Sequence, residues 1–317
     1  MSLIAILIPT YNRQKYLLQN LRKLTTDILS NSLENDIEII ISNNASLDET
    51  EEKVEQFIEA TNGVRIKLYN QSVNIGLEAN ALFVLEKATS TYVMYLGDDD
   101  FVVKEFLIGI VNQLKLRKDL YCILPSFQNV DYDGNILMSS SRDIGLKNTF
   151  YVKGFDNCLN NSYRGHQLSG LVFKRCGLLK SYKENGVHNL YPFVYFVSLS
   201  CLNGNTWHFP EYPVLVTSPL QKDKDWDYNI NGLVTEIFDN YKKLPDITLI
   251  QRFQLEFKIL TSQSWRYEIH LNKGKIFFLK SVYSIVSDRN TSVLTKIVFP
   301  TYVSFRMVSK IVKKCLP

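Results

Sequence analysis

Nowhere in the 317 residues do about 18 apolar residues run unbroken, so no membrane-spanning helix is expected. The opening apolar run, Leu3 to Ile8, is short, lacks a basic leader and stops at Pro9, which suits a first strand better than a secretory segment. Cysteine is sparse and unpatterned. The five (Cys122, Cys158, Cys176, Cys201, Cys315) are odd in number with no CxxC spacing, which excludes a disulfide framework and suits reduced thiols in a cytoplasmic protein. The four histidines are scattered, so a zinc site is not expected either. There is no internal repeat, no low-complexity linker and no compositionally disordered stretch. No glycine-rich loop with a Lys or Arg follows the first strand, which counts against a nucleotidyltransferase. The net charge of +4 is too small to imply a nucleic-acid partner, and none is expected. That charge is unevenly spread: from Arg266 onward ten bases face only Glu268 and Asp288, a net of +8.

What is present is a 45% hydrophobic, aromatic-rich chain long enough for one large domain with an appendage. Its first hundred residues alternate strand and helix. Leu3 to Ile8 reads as a strand covered on both faces. Leu17, Leu21, Leu24 and Ile28 then recur at helical spacing, with Asn12 as a plausible cap. Ile37 to Ile41 is the second strand, and Ser46-Leu47-Asp48-Glu49 reads as a capping box opening a helix. Val64 to Tyr69 and Tyr92 to Leu96 are further strands, separated by a turn at Asn74-Ile75-Gly76 and a helix over 78–87. This βαβαβαβ pattern predicts a doubly wound, mostly parallel sheet. After a helix at 104–116 the spacing changes. Asp131-Tyr132-Asp133-Gly134 signals a hairpin, Leu168 to Phe173 an apolar strand, 178–191 a polar stretch, and Phe193 to Leu202 a helix. Trp207 to Val216 reads as an edge or irregular strand because Pro210 and Pro213 interrupt it. From about Asn229 the pattern is wholly helical. The expected division is 1–220 (halves 1–117 and 118–220), followed by a helical region 221–317.

Three strand ends should share one edge of the sheet: Pro9-Thr10-Tyr11-Asn12-Arg13, Ser42-Asn43-Asn44-Ala45-Ser46, and Asp98-Asp99-Asp100. Adjacent aspartates repel unless something positive sits among them, and a hard divalent cation carrying phosphate oxygens is the usual answer. A proline-fixed loop, two side-chain amides and a carboxylate run on one edge suit a nucleoside diphosphate. The plainer alternatives are a solvated acidic turn for the aspartates and a helix-opening turn for Asn43 and Asn44.

Ile-Pro-Thr-Tyr-Asn-Arg at 8–13, Ile-Ser-Asn-Asn-Ala-Ser-Leu-Asp-Glu-Thr at 41–50, Asn-Ile-Gly at 74–76 and Leu-Gly-Asp-Asp-Asp at 96–100 resemble family-2 glycosyltransferases of the A-type nucleotide-sugar fold. The motifs occur in that family's order and cover the first third of the chain. Within the family the Gly-Asp-Asp-Asp ending and Tyr191-Pro192 look most like transferases of bacterial O-antigen and capsule repeats, abequosyltransferase-like enzymes included. The resemblance implies a hexosyltransferase-type enzyme using a nucleoside-diphosphate sugar, a UDP-sugar favoured, and Mn2+ or Mg2+. It implies donor contacts from Pro9, Thr10, Tyr11, Arg13, Asn43, Asn44, Asn74, Gly76 and Asp98, with Asp99 as metal ligand and Asp100 assisting the metal or supporting the loop. Asn44 departs from the family, standing where it carries a uracil-reading aspartate. An amide donates as well as accepts, so another pyrimidine becomes admissible.

The catalytic base is poorly marked. Many relatives take it from a Glu-Asp pair after the acceptor-half strand, which the region 183–193 lacks. Glu184 and His188 are the local candidates, and Asp227, in the acidic-aromatic loop Asp223 to Asp227, is a third, with Trp226 placed to stack on a sugar. In the terminal segment Tyr302 to Cys315, Phe305, Val308, Ile311, Val312 and Cys315 share one side, and Arg306, Lys310, Lys313 and Lys314 the other. Such a helix suits the surface of an anionic bilayer or packs on the protein's own core. The reading is an inverting transferase, cytoplasmic or peripheral on the inner face of the membrane, acting on a lipid-linked oligosaccharide in surface polysaccharide synthesis. The missing Glu-Asp pair keeps a non-catalytic nucleotide-sugar-binding subunit as the alternative.

Overall fold

The computed structural model of the chain describes residues 2–131, 135–137, 141–217 and 229–315, with side chains as far as Met307 in the last helix. The strands are β1 (Ile4–Thr10), β2 (Ile37–Asn43), β3 (Arg65–Asn70), β4 (Tyr92–Tyr95), β5 (Leu120–Val130), β6 (Thr149–Tyr151), β7 (Val172–Lys174) and β8 (Asn205–Thr217). They form one sheet in the order β3-β2-β1-β4-β7-β5-β8-β6. β1 to β4 are parallel, β7 is antiparallel to both β4 and β5, β8 runs parallel to β5, and β6 runs against β8. The carboxyl ends of β1 to β5 and β8 therefore share one edge, and reversed β7 begins there.

Helices α1 (Gln14–Ser30), α2 (Thr50–Ala60), α3 (Leu77–Lys87) and α4 (Lys104–Leu116) cross between the first strands. Then come α5 (Phe155–Asn161), α6 (Leu178–Glu184), α7 (Pro192–Asn203), α8 (Val234–Lys242), α9 (Leu249–Ser262), α10 (Trp265–Glu268), α11 (Lys275–Ser287) and α12 (Val293–Cys315). Successive side chains of a strand point to opposite faces. Ile4, Ile6 and Ile8 accordingly pack with α1, α2 and α4, through residues such as Leu21, Val54 and Phe106. Ala5 and Leu7 join the opposite core, made by α3, α7, α8, α9, α11 and α12 through Val84, Phe196, Phe238, Ile259, Phe278 and Phe299. Two covered faces explain why β1 opens as an unbroken apolar run and why β2 is interrupted only by Glu38, which Lys67 and Ser90 bind, and the C-terminal helices share the second core with the sheet. Among the described residues no helix is long and apolar enough to cross a membrane.

Several local expectations change. Ser46 to Glu49 is no capping box: α2 starts at Thr50 without a side-chain cap, and Asp48 Oδ1 accepts from Thr50 N at 3.1 Å. Nor does Asn12 cap α1, whose N-cap is Arg13. Asn12 is left-handed (φ 53°) and its Oδ1 accepts from Leu47 N at 2.7 Å, while Asn12 N donates to Ser46 Oγ at 2.9 Å. The polar groups that resemble caps instead bind the β1 and β2 loops to one another. The strand read at 168–173 is only Val172–Lys174, because Gly170 turns at φ +78° where a Cβ would meet Val214. The polar stretch 178–191 contains α6. β8 is an inner strand, its prolines falling in the register shift between Pro125/Phe209 and Phe127/Val214. The hairpin is supported by the bridge Val130/Ile136; its tip, 132–134, lies outside the described residues. Arg306 does not face outward: its Nε donates to Glu268 at 2.6 Å and Nη2 to Ser264 Oγ at 2.9 Å, while Phe305 is exposed.

Candidate functional site

The parallel register builds the site. Leu7 pairs with Tyr95, and Thr10 with Asn43, so three residues past Leu7 and Tyr95 the chain reaches Thr10 and Asp98 together. Thr10 Oγ1 donates to Asp98 Oδ2 at 2.7 Å. The aspartate run thus stands at the carboxyl edge beside the Pro9–Arg13 loop. Burial and the neighbouring Asp99 push Asp98 up to about 7, against the Thr10 hydrogen bond and the positive charge of Arg13. Arg13 lies over the Tyr16 ring at 5.9 Å, and Tyr11 is half-buried.

Asp100 has a different environment. It is buried, and its Oδ2 accepts from Ser169 Oγ at 2.5 Å and Gln167 Nε2 at 3.3 Å, while Oδ1 accepts from Thr217 N at 2.9 Å. Because β7 runs backwards and β8 forwards, Ser169 precedes one and Thr217 ends the other at this same edge. Gly97 N donates to Ser169 Oγ at 2.9 Å, and Asn20 of α1 donates to Gly97 O at 3.0 Å and Asp100 O at 2.8 Å. Asp100 therefore holds the loop that presents half-buried Asp98 and Asp99.

On the β2 side, Asn43 Nδ2 donates to Asn70 Oδ1 at 3.0 Å. Asn44 is buried, donating to Asn74 Oδ1 at 2.8 Å and accepting from Ile75 N at 2.9 Å. Asn74 Oδ1 also accepts from Gly76 N at 2.9 Å, and Gly76 enters α3 at φ 87°, a left-handed conformation that favours glycine. The amides thus lace the β2 loop to the 74–76 turn.

Two residues into α3, that turn leads to Glu78. Its Oε2 lies 2.5 Å from His188 Nδ1, and its Oε1 accepts from Tyr182 OH at 2.6 Å and Asn189 N at 3.2 Å. The imidazole is 90% exposed, so Nε2 faces solvent. A carboxylate orienting one imidazole nitrogen while the other stays accessible is the base–orienter geometry of proton-transfer sites. Glu184 ends α6, exposed, with Lys180 at 3.8 Å as its ion-pair partner. Trp226 and Asp227 lie outside the described residues.

Among the described residues no three His, Cys, Asp or Glu side chains are grouped as a metal cage. A dedicated cage is not what Mg2+ or Mn2+ requires with a nucleotide: one or two carboxylates, phosphate oxygens and water suffice. Asp99, with Asp98 beside it, fits that donor set. Asp100 fits it less well, since its oxygens already accept from three protein donors.

The model of the family described as Glycosyl transferase family 2 matches residues 5–175, from β1 to just past β7. The chain belongs to glycosyl transferase family 2. This family-2 protein is 37% identical over 119 residues to abequosyltransferase RfbV of Salmonella typhimurium, a match covering 38% of the chain and 34% of that relative. It is 29% identical over 159 residues to glycosyltransferase GlyG of Streptococcus pneumoniae, covering 50% and 46%. The matches thus span between a third and a half of these relatives' lengths. Its fold is the A-type glycosyltransferase fold. It resembles S. aureus TarS 1-349, solved with UDP-GlcNAc, with TM-score 0.67 at 15% identity over 90% of the chain and 80% of that structure. It also resembles the mannosyltransferase PcManGT of Pyrobaculum calidifontis, solved with GDP-Man and Mn2+, with TM-score 0.57 at 12% identity over 96% and 80%.

Asn20, Glu78, Gln167 and Ser169 are not legible as site residues from motifs. Asn20 carried a signal, a buried amide in the apolar stripe of Leu17, Leu21 and Leu24. Glu78 carried a similar one, an acid on the α3 face that buries Ala81 and Leu85.

Proposed function

We propose that this family-2 protein is a metal-dependent, inverting glycosyltransferase taking a sugar from a nucleoside-diphosphate donor, with UDP-sugars favoured. The Thr10–Asp98 hydrogen bond at 2.7 Å carries the reading, because it brings the nucleotide loop and the aspartate run to one point. The base-side loops, laced by Asn43, Asn44 and Asn74, flank one side of the pyrophosphate position, and Arg13 adds positive charge. Asp99, assisted by Asp98, would hold a divalent cation that neutralises the departing diphosphate. The acceptor hydroxyl oxygen attacks the anomeric carbon and the bond to the diphosphate breaks. His188 Nε2 takes the hydroxyl proton, with Glu78 as its positioning residue. The acceptor we propose is a lipid-linked oligosaccharide of bacterial surface polysaccharide synthesis, supported by the similarity to an abequosyltransferase.

The test is hydrolysis of a panel of nucleotide sugars, varying base and sugar independently, with and without Mn2+. One donor should release its diphosphonucleoside slowly and only with Mn2+. Asp99→Ala should lose most of that rate, and His188→Gln should lose rate while retaining Mn2+-dependent nucleotide binding. Metal-stimulated turnover undiminished in Asp99→Ala would overturn the assignment, and binding without hydrolysis of any donor would make the protein a non-catalytic subunit.

A further inference from the structure

α11 is apolar on both sides. Phe278, Val282 and Ile285 face the core, yet Ile276, Leu279 and Tyr283, spaced at three and four residues, form a second stripe with Ile276 69% and Tyr283 70% exposed. A helix that is hydrophobic all round is stable only with apolar surroundings on both sides. The following helix repeats the pattern: α12 buries Thr295, Phe299 and Val303 and exposes Val293, Ile297, Val298 and Phe305, the last at 74%. The two pack against each other. Among the described residues nothing covers these outward stripes.

The charge around them has one sign. Lys273, Lys275 and Lys280 are exposed beside the α11 stripe, and Arg289 is exposed in the turn before α12. Lys280 Nζ lies 5.8 Å from the Phe277 ring centroid, its stem covering apolar surface while its charge stays in water. Between Ile269 and Met307 the one acid is Asp288, while Glu268 is neutralised by Arg306 at 2.6 Å.

We infer that the outer face of α11 and α12 docks on an anionic lipid bilayer, apolar stripes in the headgroup boundary and lysines on lipid phosphates and carboxylates. A basic apolar face is complementary to that surface. It is not complementary to itself: a twofold contact between two copies would press two basic faces together. The inference stands apart from the donor site, and the residues involved belong to neither the donor loops nor the Glu78–His188 pair.

The experiment is flotation of the full chain with phosphatidylcholine vesicles, with and without phosphatidylserine, alongside Ile276→Ser/Leu279→Ser/Tyr283→Ser. All three side chains are exposed, so the variant should keep the wild-type melting temperature and donor hydrolysis. The wild type should float with phosphatidylserine vesicles, lose most of that binding in high salt, and bind about tenfold or more tightly than the variant. Lys275→Glu/Lys280→Glu should weaken binding to phosphatidylserine vesicles and leave the weak binding to pure phosphatidylcholine unchanged. Absence of wild-type flotation, or equal flotation of the triple variant, would overturn the inference. So would a wild-type dimer in analytical ultracentrifugation that the triple variant converts to monomer, since the face would then be a protein interface.

Discussion

Adjacent residues of the aspartate run do separate work. Asp98 and Asp99 are presented at the edge, whereas Asp100 binds three donors, two from the loop ahead of β7 and one from the end of β8. Removing Asp100 leaves buried donors without an acceptor, so Asp100→Ala should cost roughly 2–3 kcal/mol. Thermal melting should show a drop of several degrees. Asp99→Ala should melt closer to wild type; the opposite order would mean that Asp99 is the structural residue. The motif residues were legible because each stands where a strand stops. Asn20 and Glu78 were not, because their meaning depends on which loop their helix meets. Asn12 and Ser46 resembled caps because short polar side chains bond any nearby backbone, and here the nearer backbone belongs to the other loop.

At the scale of elements, the alternation from β1 to α4 was readable because β1, β2 and β4 are largely apolar and β3 alternates apolar and polar residues, each ended by polar residues or glycine. β7 and β8 were readable as strands but not in extent or place: Gly170 cuts 168–173 back to three residues, and the strand marked irregular by its two prolines is an inner one, which only pairing with neighbours distant in the chain defines. Close approach matters as much in the second half. Gly165, in the 3-10 turn Ser162–His166, lies where a Cβ would stand 2.5 Å from Phe193 O, at the start of α7. Backbone cannot rotate away as a side chain can. Gly165→Ala should therefore displace α7 or the turn at a cost of about 2 kcal/mol or more, read as a lower urea midpoint. Unchanged stability would mean that the contact relaxes freely.

Across the molecule, buried ionisable groups set the acid limit. Burial, with Arg142 and Arg266 nearby, holds His166 well below its ordinary value of 6.5, and burial also lowers His208. These imidazoles stay neutral in the fold but take up protons when unfolded, so stability falls as pH drops below 6.5. Asp143 adds to this further down. His208 Nε2 at 3.3 Å, hydrogen bonds from Arg164 and the charge of Arg142 outweigh its burial and hold it below the carboxylate range, so its contribution is lost in stronger acid. Asp98, raised to about 7, works the other way, which makes the difference between proteins the cleaner measurement. On moving from about pH 7.5 to pH 5.5, wild type should lose more melting temperature than His166→Gln. Parallel losses would show that His166 does not titrate on unfolding. The terminal helix was legible as amphipathic, but not for which side meets the protein; the partners of Arg306 decide that.

β7 joins β1 to β4 to the rest of the sheet through three residue pairs with β4 and two with β5, and the family match ends at Arg175, one residue past it. In the sheet the join is only these few backbone pairs, and the rest of the hold is apolar packing, with Ala5 and Leu7 of β1 in one core with Phe196, Phe238 and Phe299. Such a core asks for volume and apolarity more than for particular side chains. The family match can therefore stop at β7 while the likeness of fold to S. aureus TarS 1-349 runs over 90% of the chain.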